Sequence, residues 1–268
     1  MKMRDLLKHI KSYIWSKRNY KIFIDELFNK QSLKKINHLF DTMYFEKYVR
    51  PIEQLTPLNK NIVVIAPHPD DEVLGCGGLI IKSLQNNCKI SLIFLTSGLN
   101  SDREVRESEA LKVASKLGID DVTFLRINDG KVFNELSFNK IKGKLESIKP
   151  DIILIPFIFD KHDDHISSNK FIPDIPSNLK IEIWCYQVYS TMSCNAYIDI
   201  TDIAEEKYRA ISMYQSQMNN FDYVNWNRGL NAFNSRYSHN KEKKYIESYF
   251  IFPLDEYQAV CTQYFNES

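Results

Sequence analysis

Short apolar runs alternate with stretches of helical periodicity through the middle of this chain. The pattern predicts strands over residues 62–66, 89–95, 122–126 and 151–157, separated by helices over residues 73–86, 103–117 and 138–148. Strands joined by such long helical crossovers pair in parallel, because the crossover returns the chain to the same end of the sheet. Right-handed crossovers then cover both faces. The chain is therefore predicted to be an α/β protein with a Rossmann-like, doubly wound, mostly parallel sheet and helices on both faces.

The later part of the chain has a less regular pattern. Residues 181–189 are strand-like, residues 202–217 have helical periodicity, residues 219–240 are predicted as loops with short helical pieces, and residues 249–252 as a terminal strand. Of the 268 residues, 44% are hydrophobic, which is ample for a packed core. The simplest division is one large domain over residues 61–268, preceded by a helical N-terminal extension over residues 1–60.

Two of the predicted strands end in clusters of histidine and acidic residues. The first strand is followed by His68-Pro-Asp70-Asp71-Glu72, and the fourth by Asp160-Lys-His162-Asp163-Asp164-His165. The carboxyl ends of parallel strands lie at one edge of the sheet, where ligands bind in open α/β folds. Catalytic zinc typically has three protein ligands, histidines and a carboxylate among them, and an open position for water. The two clusters therefore predict a metal site at this edge.

The residues of the two clusters need not serve the same purpose. Adjacent side chains in an extended turn point in different directions, so His68 and Asp71 could share a metal while Asp70 faces the water to be activated. In the alternative interpretation, one of the two aspartates caps the helix that begins near Val73. His162 is a candidate proton donor because histidine titrates near neutral pH, and its alternative is a solvated loop histidine.

The glycines of Gly75-Cys-Gly-Gly78 invite comparison with a dinucleotide-binding fingerprint. That fingerprint needs G-x-G-x-x-G directly after the strand, and the acidic residue expected to contact the ribose is missing. A phosphate-binding GxxxxGK motif is also missing. We expect instead that these glycines let the first helix approach the sheet closely.

Several motifs together carry a family resemblance. They are Ala66-Pro-His68-Pro-Asp70-Asp71-Glu72, Gly75-Cys-Gly-Gly78 and His162-Asp-Asp164-His165, supported by Arg106-Glu-Ser-Glu109-Ala110, Leu117-Gly118, Asp129-Gly130 and Tyr214-Gln-Ser-Gln217. The chain resembles the PIG-L or LmbE-like family of zinc-dependent N-acetylglucosaminyl deacetylases over residues 60–220. The resemblance implies the same α/β fold. It also implies a hydrolase that removes the N-acetyl group from an N-acetylated amino sugar of the GlcNAc type, in a glycoconjugate or its precursor.

The resemblance assigns roles to individual residues. It implies that His68, Asp71 and His165 bind Zn²⁺, or another divalent metal, and that Asp70 is the general base. It also implies that His162 stabilises the oxyanion or protonates the leaving amine.

Three further residues complete the expected site. Asp164 is expected to orient His162 and to raise its pKa, as carboxylates behind active-site histidines do. The family pattern places Arg106 and Asp129 near the substrate sugar. The alternative for Arg106 is a surface ion-pair array on its helix, and the alternative for Asp129-Gly130 is an ordinary turn.

Other classes of function share parts of this pattern. Two histidines and one carboxylate also form the metal triad of non-haem iron oxygenases, although a jelly roll is their usual fold. The Asp-rich HDDH segment suggests a metal-dependent phosphoesterase, which would usually need more carboxylates for two metals. A sugar-binding protein without turnover would have no need of Asp70 as a base.

Charge and cysteine content bear on location and partners. Residues 1–60 hold 13 Lys and Arg against 6 Asp and Glu, whereas the remainder holds 22 against 28, so a basic segment precedes a mildly acidic body. We predict no nucleic-acid partner. Leu6, Leu7, Ile10, Tyr13 and Ile14 predict an amphipathic basic helix within residues 1–24. We expect it to pack on the body or on a second copy in a homo-oligomer, and peripheral contact with anionic lipid is the alternative. Five scattered cysteines without CxxC spacing, and the lack of a long apolar run, favour a cytoplasmic location.

Overall fold

The computed structural model describes residues 50–98, 102–131, 135–191, 194–219 and 221–266, and only the backbone of residues 135–137. The predicted basic helix within residues 1–24 lies outside the described residues. Among the described helices, none is both long enough and apolar enough to cross a membrane.

A single mixed sheet forms the centre of the described structure. Its strands are β1 (Ile52–Glu53), β2 (Asn61–Ala66), β3 (Lys89–Thr96), β4 (Asp121–Ile127), β5 (Ile152–Pro156), β6 (Glu182–Tyr186), β7 (Ala196–Asp199) and β8 (Ile246–Pro253). Their order across the sheet is β1-β7-β8-β6-β5-β2-β3-β4. All neighbouring strands are parallel except β8, which runs antiparallel to β6 and β7. The predicted mostly parallel sheet is confirmed.

The helices lie between and after the strands. They are α1 (Asp71–Gln85), α2 (Arg103–Leu117), α3 (Glu135–Ile148), α4 (Asp163–Ser167), α5 (Ala204–Ser212), α6 (Gln215–Met218), α7 (Tyr223–Asn234) and α8 (Leu254–Asn266). Two 3₁₀ segments, Ser168–Asp174 and Ser235–Tyr237, follow α4 and α7. The predicted helix over residues 202–217 divides into α5 and α6.

Helix α7 occupies a segment that the sequence pattern predicts as loops with short helical pieces, and it is 12 residues long. The reason lies in its buried face, which consists of Asn227, Asn231 and Asn234. These residues recur at helical spacing, but a hydrophobicity pattern does not register asparagine as a core residue. The prediction underestimated the length of the helix because its fully buried side chains are polar.

Alternate residues of β2 point to two separate cores. Ile62 and Val64 belong to the core that also contains residues of α1, α2 and α5, whereas Val63 and Ile65 belong to the core that contains residues of α3 and α8. A strand buried on both faces is the mark of a sheet covered by helices on both sides. The doubly wound arrangement is therefore confirmed.

Strand order changes direction between β2 and β5. The chain runs from β2 outward to β3 and β4, then returns to the other side of β2 for β5 and β6. In open α/β sheets this switch point leaves a crevice at the carboxyl ends of the two central strands. Both histidine and acid clusters follow those two ends.

Candidate active site

The turn between β2 and α1 holds His68, Asp70 and Asp71 in a fixed arrangement. The backbone N–H of His68 donates to Oδ2 of Asp71 at 2.8 Å, and Nδ1 of His68 lies 3.2 Å from the same oxygen. Asp70 has a φ of 116°, a left-handed conformation that few residues other than glycine adopt. Its carboxylate makes no hydrogen bond to the helix N-terminus. The capping interpretation of Asp70 was therefore wrong, and its side chain is available for another role.

Helix α4 brings the second cluster to the same place. His162 is the residue at its N-terminal cap, and the fully buried His165 lies in its first turn. The ring centroids of His68 lie 4.8 Å from His162 and 5.5 Å from His165. Nε2 of His165 is 3.2 Å from Oδ2 of Asp71. The structure thus brings His68, Asp71 and His165 together, with His162 beside them.

Several buried polar atoms of this cluster have no hydrogen-bond partner among the described residues. They are Oδ1 of Asp71 and both ring nitrogens of His165, which have carboxylate oxygens 3.2 Å and 3.5 Å away but not in hydrogen-bond geometry. Buried polar atoms are nearly always hydrogen-bonded, and a group of exceptions is typical of a place where an ion binds. One potential ligand atom from each of His68, His162 and His165 lies within 4.8 Å of the others. Imidazole nitrogens and a carboxylate oxygen suit a divalent metal such as zinc, so the donor set fits the predicted metal.

The charges of this cluster shift the pKa values of its members. Burial lowers the pKa of His165, but the carboxylates of Asp71 and Asp160 outweigh that effect and raise it to about 9. Burial would raise the pKa of Asp71, yet the neighbouring rings of His165 and His68 hold it well below its usual range. Asp71 is therefore ionised, as a metal ligand must be.

Asp164 does not contact the His162 ring in the way the sequence predicts. Its Oδ2 lies 3.2 Å from Nε2 of His68 and accepts the backbone N–H of Gly130 at 3.0 Å. His162 Nδ1 instead accepts the backbone N–H of Asp164 at 3.2 Å. Burial and the neighbouring His68 and His165 lower the pKa of His162, and Asp164 does not offset them. Asp164 does act to raise this pKa, as expected, but the net shift is downward.

Asp129 lies at the rim of the same cluster. Its Oδ1 is 3.1 Å from Nε2 of His68, and 31% of its side chain is exposed. One potential ligand atom from each of His68, Asp129 and Asp164 also lies within 4.8 Å of the others. The turn after β4 therefore contributes a carboxylate to the site.

Arg106 points into the site rather than along the surface of α2. Its Nη2 donates to the carbonyl oxygen of Pro69 at 3.2 Å and lies 3.8 Å from Oδ2 of Asp70. The exposed ion pair on this helix is formed instead by Glu107 with Arg126. Burial and the charge of Asp71 raise the pKa of Asp70 well above its usual range, although Arg106 opposes them.

Glu72 and Tyr214 form a buried contact that the sequence reasoning did not assign. One carboxylate oxygen of Glu72 accepts a hydrogen bond from the hydroxyl of Tyr214. The other accepts a hydrogen bond from the backbone N–H of Asp70 at 3.0 Å. Burial raises the pKa of Glu72 to about 7 despite the opposing bond from Tyr214. A signal was present, because both residues belong to motifs that carry the family resemblance.

Asp160 is a second residue that the sequence reasoning left without a role. Its Oδ1 accepts the backbone N–H of His162 at 3.2 Å and lies 3.5 Å from Nδ1 of His165, and its Oδ2 accepts the backbone N–H of Tyr189 at 3.1 Å. A carboxylate behind a metal-binding histidine fixes the orientation of the ring. Asp160 has this position relative to His165.

Aromatic rings continue the site toward solvent. Tyr189 stacks on His165 with centroids 5.4 Å apart, and Trp226 stacks on the ring of Tyr189 at 5.7 Å. Phe221 meets the edge of Trp226 at 6.2 Å and is 50% exposed. Tyr189, Trp226 and Phe221 thus form a continuous wall of aromatic rings from the buried His165 to the surface.

Residues 63–175 match the model of the family described as PIG-L: GlcNAc-PI de-N-acetylase. Over this segment the chain resembles the PIG-L family. The matched segment contains both histidine and acid clusters, whereas Tyr214 and Trp226 lie beyond it. The resemblance predicted from the motifs is confirmed.

Proteins that are similar to this chain differ in activity. A diacetylchitobiose deacetylase of Thermococcus kodakarensis is 25% identical over 223 residues, covering 72% of this chain and 84% of the relative. The N,N'-diacetylchitobiose deacetylase of Pyrococcus horikoshii has a similar fold, with a TM-score of 0.62, 22% identity and coverage of 74% of this chain and 85% of that one. GalB, a 4-carboxy-2-hydroxymuconate hydratase of Pseudomonas putida KT2440, has a TM-score of 0.61 at 18% identity, covering 72% of this chain and 97% of its own. Because a hydratase shares the fold, the reaction must be argued from the site.

Proposed function

We propose that this chain is a metal-dependent hydrolase that removes the N-acetyl group from an N-acetylated amino sugar of the GlcNAc type, in a glycoconjugate or its precursor. The observation that carries the proposal is that His68, Asp71 and His165 lie together, and that Asp71 and His165 have buried side-chain atoms without hydrogen-bond partners. The PIG-L match and the deacetylases among the similar proteins support N-deacetylation as the reaction.

His68, Asp71 and His165 would hold the metal, with zinc as the first candidate. When bound, a divalent metal polarises a carbonyl oxygen and lowers the pKa of water toward about 7. The buried carboxylate of Asp71 is ionised, so it would supply one negatively charged ligand.

Asp70 would act as the general base that takes a proton from the attacking water. A general base works best when its pKa lies near the working pH, and burial raises the pKa of Asp70 in that direction. Arg106, 3.8 Å from Oδ2 of Asp70, keeps the carboxylate facing the site.

His162 would stabilise the negative charge that develops on the carbonyl oxygen. Its Nδ1 accepts the backbone N–H of Asp164, so the proton of the neutral ring resides on Nε2. Because its pKa is lowered, the ring is a neutral hydrogen-bond donor at neutral pH. This favours the oxyanion role over the alternative of protonating the amine.

The substrate side of the site would combine polar and aromatic groups. Asp129 is partly exposed and can accept hydrogen bonds from sugar hydroxyls, and the guanidinium of Arg106 can donate to them. The wall formed by Tyr189 and Trp226 offers apolar surface to the C–H face of a pyranose ring. Apolar walls with a few placed polar groups are typical of small-molecule sites.

The deciding experiment is an assay of the zinc-loaded, full-length protein against GlcNAc-containing glycolipids, nucleotide sugars and oligosaccharides. We expect equal amounts of acetate and primary amine from at least one of them, with no requirement for oxygen or nucleotide. The same preparation with Asp70→Asn serves as the control for contaminating activity. Phosphate release from a phosphoester panel without any amine would instead support the phosphoesterase, and binding without turnover would support the sugar-binding protein.

A further inference from the structure

Helix α1 begins with Asp71 and Glu72 of the first histidine and acid cluster. It is broken after one turn. Cys76 has φ −139° and ψ 21°, values outside the helical region, so the segment before it is a separate short turn. Three glycines surround the break, and a Cβ at Gly75 would come within 2.1 Å of the Tyr186 ring. This close approach confirms the expectation that the glycines let the first helix lie against the sheet. The first turn therefore needs other contacts to fix its orientation.

A buried carboxylate satisfies the backbone donors after the break. Glu247, on β8, accepts the N–H of Gly78 at 2.7 Å with one oxygen and the N–H of Leu79 at 2.8 Å with the other. Tyr249 donates its hydroxyl to the same carboxylate at 2.7 Å. Glu247 is only 1% exposed, so all these bonds are made away from water.

A buried ammonium satisfies the backbone acceptor before the break. Lys207, on α5, is fully buried and donates to the carbonyl oxygen of Leu74 at 3.0 Å and to Glu247 at 2.8 Å. Asn227, on α7, also donates to the carbonyl oxygen of Leu74, at 2.9 Å. In an unbroken helix the carbonyl of Leu74 would accept the N–H of Gly78. Here Lys207 binds the carbonyl oxygen of Leu74 and Glu247 binds the N–H of Gly78. The ion pair between Lys207 and Glu247 therefore connects these two backbone groups across the break.

A buried ion pair is poor evidence for added stability, since desolvation offsets much of the attraction between the charges. Such pairs can instead specify one arrangement among several, and here the arrangement is that of the turn holding Asp71 and Glu72, with Asp70 just before it. We propose that Lys207, Glu247 and Asn227 are positioning residues that orient this turn toward the metal site. They lie outside the segment matched by the PIG-L family, which ends at residue 175.

This inference rests on the proposed function, but two of its measurements do not require turnover. The test uses full-length Glu247→Gln, in which one of the two backbone donors loses its acceptor. In the metal-free protein we expect faster amide hydrogen exchange at Gly78 and Leu79 and in the preceding turn. Zinc affinity, measured by competition with a chelator, should fall by about 10-fold to 100-fold, as for other residues behind metal ligands. On an active substrate, kcat should fall while KM stays near the wild-type value.

A matched variant separates positioning from general destabilisation. Ile141→Ala removes buried side-chain atoms on α3, in the opposite core from α1. It should lower the melting temperature but leave zinc affinity and exchange in the first turn of α1 unchanged. If Glu247→Gln does not fold, Asn227→Ala carries the test, because it removes one donor to Leu74 and leaves the ion pair in place.

The proposal is overturned if the folded variants keep wild-type exchange at Gly78 and Leu79 and a zinc affinity within about twofold of the wild type. A wild-type protein that binds zinc without deacetylating any substrate would contradict the proposed function alone. The exchange and affinity measurements would still decide the role of Lys207, Glu247 and Asn227.

Discussion

At the scale of single residues, the conformation of Asp70 supports the proposed catalytic role over helix capping. A non-glycine residue at φ 116° stores backbone strain, and strain of this kind clusters at functional sites. The strained turn places the Asp70 carboxylate beside Arg106 and leaves the helix end without a side-chain cap. Two substitutions at this scale test the chemistry.

Asp70→Asn should retain zinc and lose turnover. The amide can still form hydrogen bonds but cannot take a proton, and loss of a general base typically costs about 10²-fold to 10⁴-fold in rate. The measurement is kcat alongside zinc content. Asp163→Asn makes the same chemical change at an exposed position of α4 and should leave kcat unchanged. A kcat for Asp70→Asn close to the wild-type value would remove Asp70 from the mechanism.

Zinc should bind with a stoichiometry near one per chain and raise the melting temperature, because a ligand that binds only the folded state stabilises it. His165→Ala should lose most of this binding, since the buried ring supplies an otherwise unpartnered nitrogen. Calorimetry and elemental analysis measure both quantities. His239→Ala, at an exposed histidine, is the control. Undiminished zinc binding by His165→Ala would show that the ligand set is wrong.

The residue scale also shows what the sequence could reveal. The two clusters follow strands of strong apolar character, so their meeting at one sheet edge was predictable from the pattern and from the family resemblance. The partner of Asp164 was not, because it depends on the turn at Gly130 reaching across from β4. Side-chain partners of this kind are fixed by tertiary geometry, which local spacing does not encode.

At the scale of elements, prediction succeeded where apolar periodicity decides the structure. The bounds of α2, residues 103–117, are those predicted. The break in α1 was not predicted, because buried Val73, Cys76 and Ile80 keep helical spacing across it. The length of helix α7 was underestimated for the converse reason, since its fully buried residues are asparagines.

Two glycine substitutions should have opposite effects on stability. Gly75→Ala would place a Cβ 2.1 Å from the buried Tyr186 ring, and overpacking of this kind typically costs about 1–3 kcal/mol. Gly143→Ala, inside α3, meets nothing within 4 Å and should stabilise by up to about 1 kcal/mol through helix propensity. Thermal or denaturant unfolding of both variants measures the difference. Equal stabilities would mean that α1 can move away from the sheet without cost.

At the scale of the whole molecule, the described part of the predicted extension belongs partly to the sheet. Residues 52–53 form β1, which pairs in parallel with β7 and is further tied by the ion pair between Glu53 and Lys243. We retain as a proposal the division into an extension over residues 1–60 and a catalytic domain over residues 61–268. Strand β1, near the end of this extension, is hydrogen-bonded to the sheet of that domain.

Deleting residues 1–24 should lower the melting temperature or change the oligomer mass, because the predicted helix has an apolar face that must be covered. Calorimetry and light scattering of the truncated chain measure these effects. A truncated chain with unchanged melting and mass that no longer co-sediments with anionic liposomes would favour the membrane alternative, in which each basic residue near the surface adds about 1 kcal/mol.

The contact between Gly78 and Glu247 joins residues 169 positions apart, and this distance has a consequence for biosynthesis. Chains emerge from the ribosome N-terminus first, and contacts of large sequence separation form late. The ribosome releases residues 68–79 long before it makes β8, so the contacts of Glu247 that orient the turn with Asp70 and Asp71 can form only after β8 has been made. A metal at the proposed site would therefore meet its ligands in their final arrangement only after β8 has been synthesised.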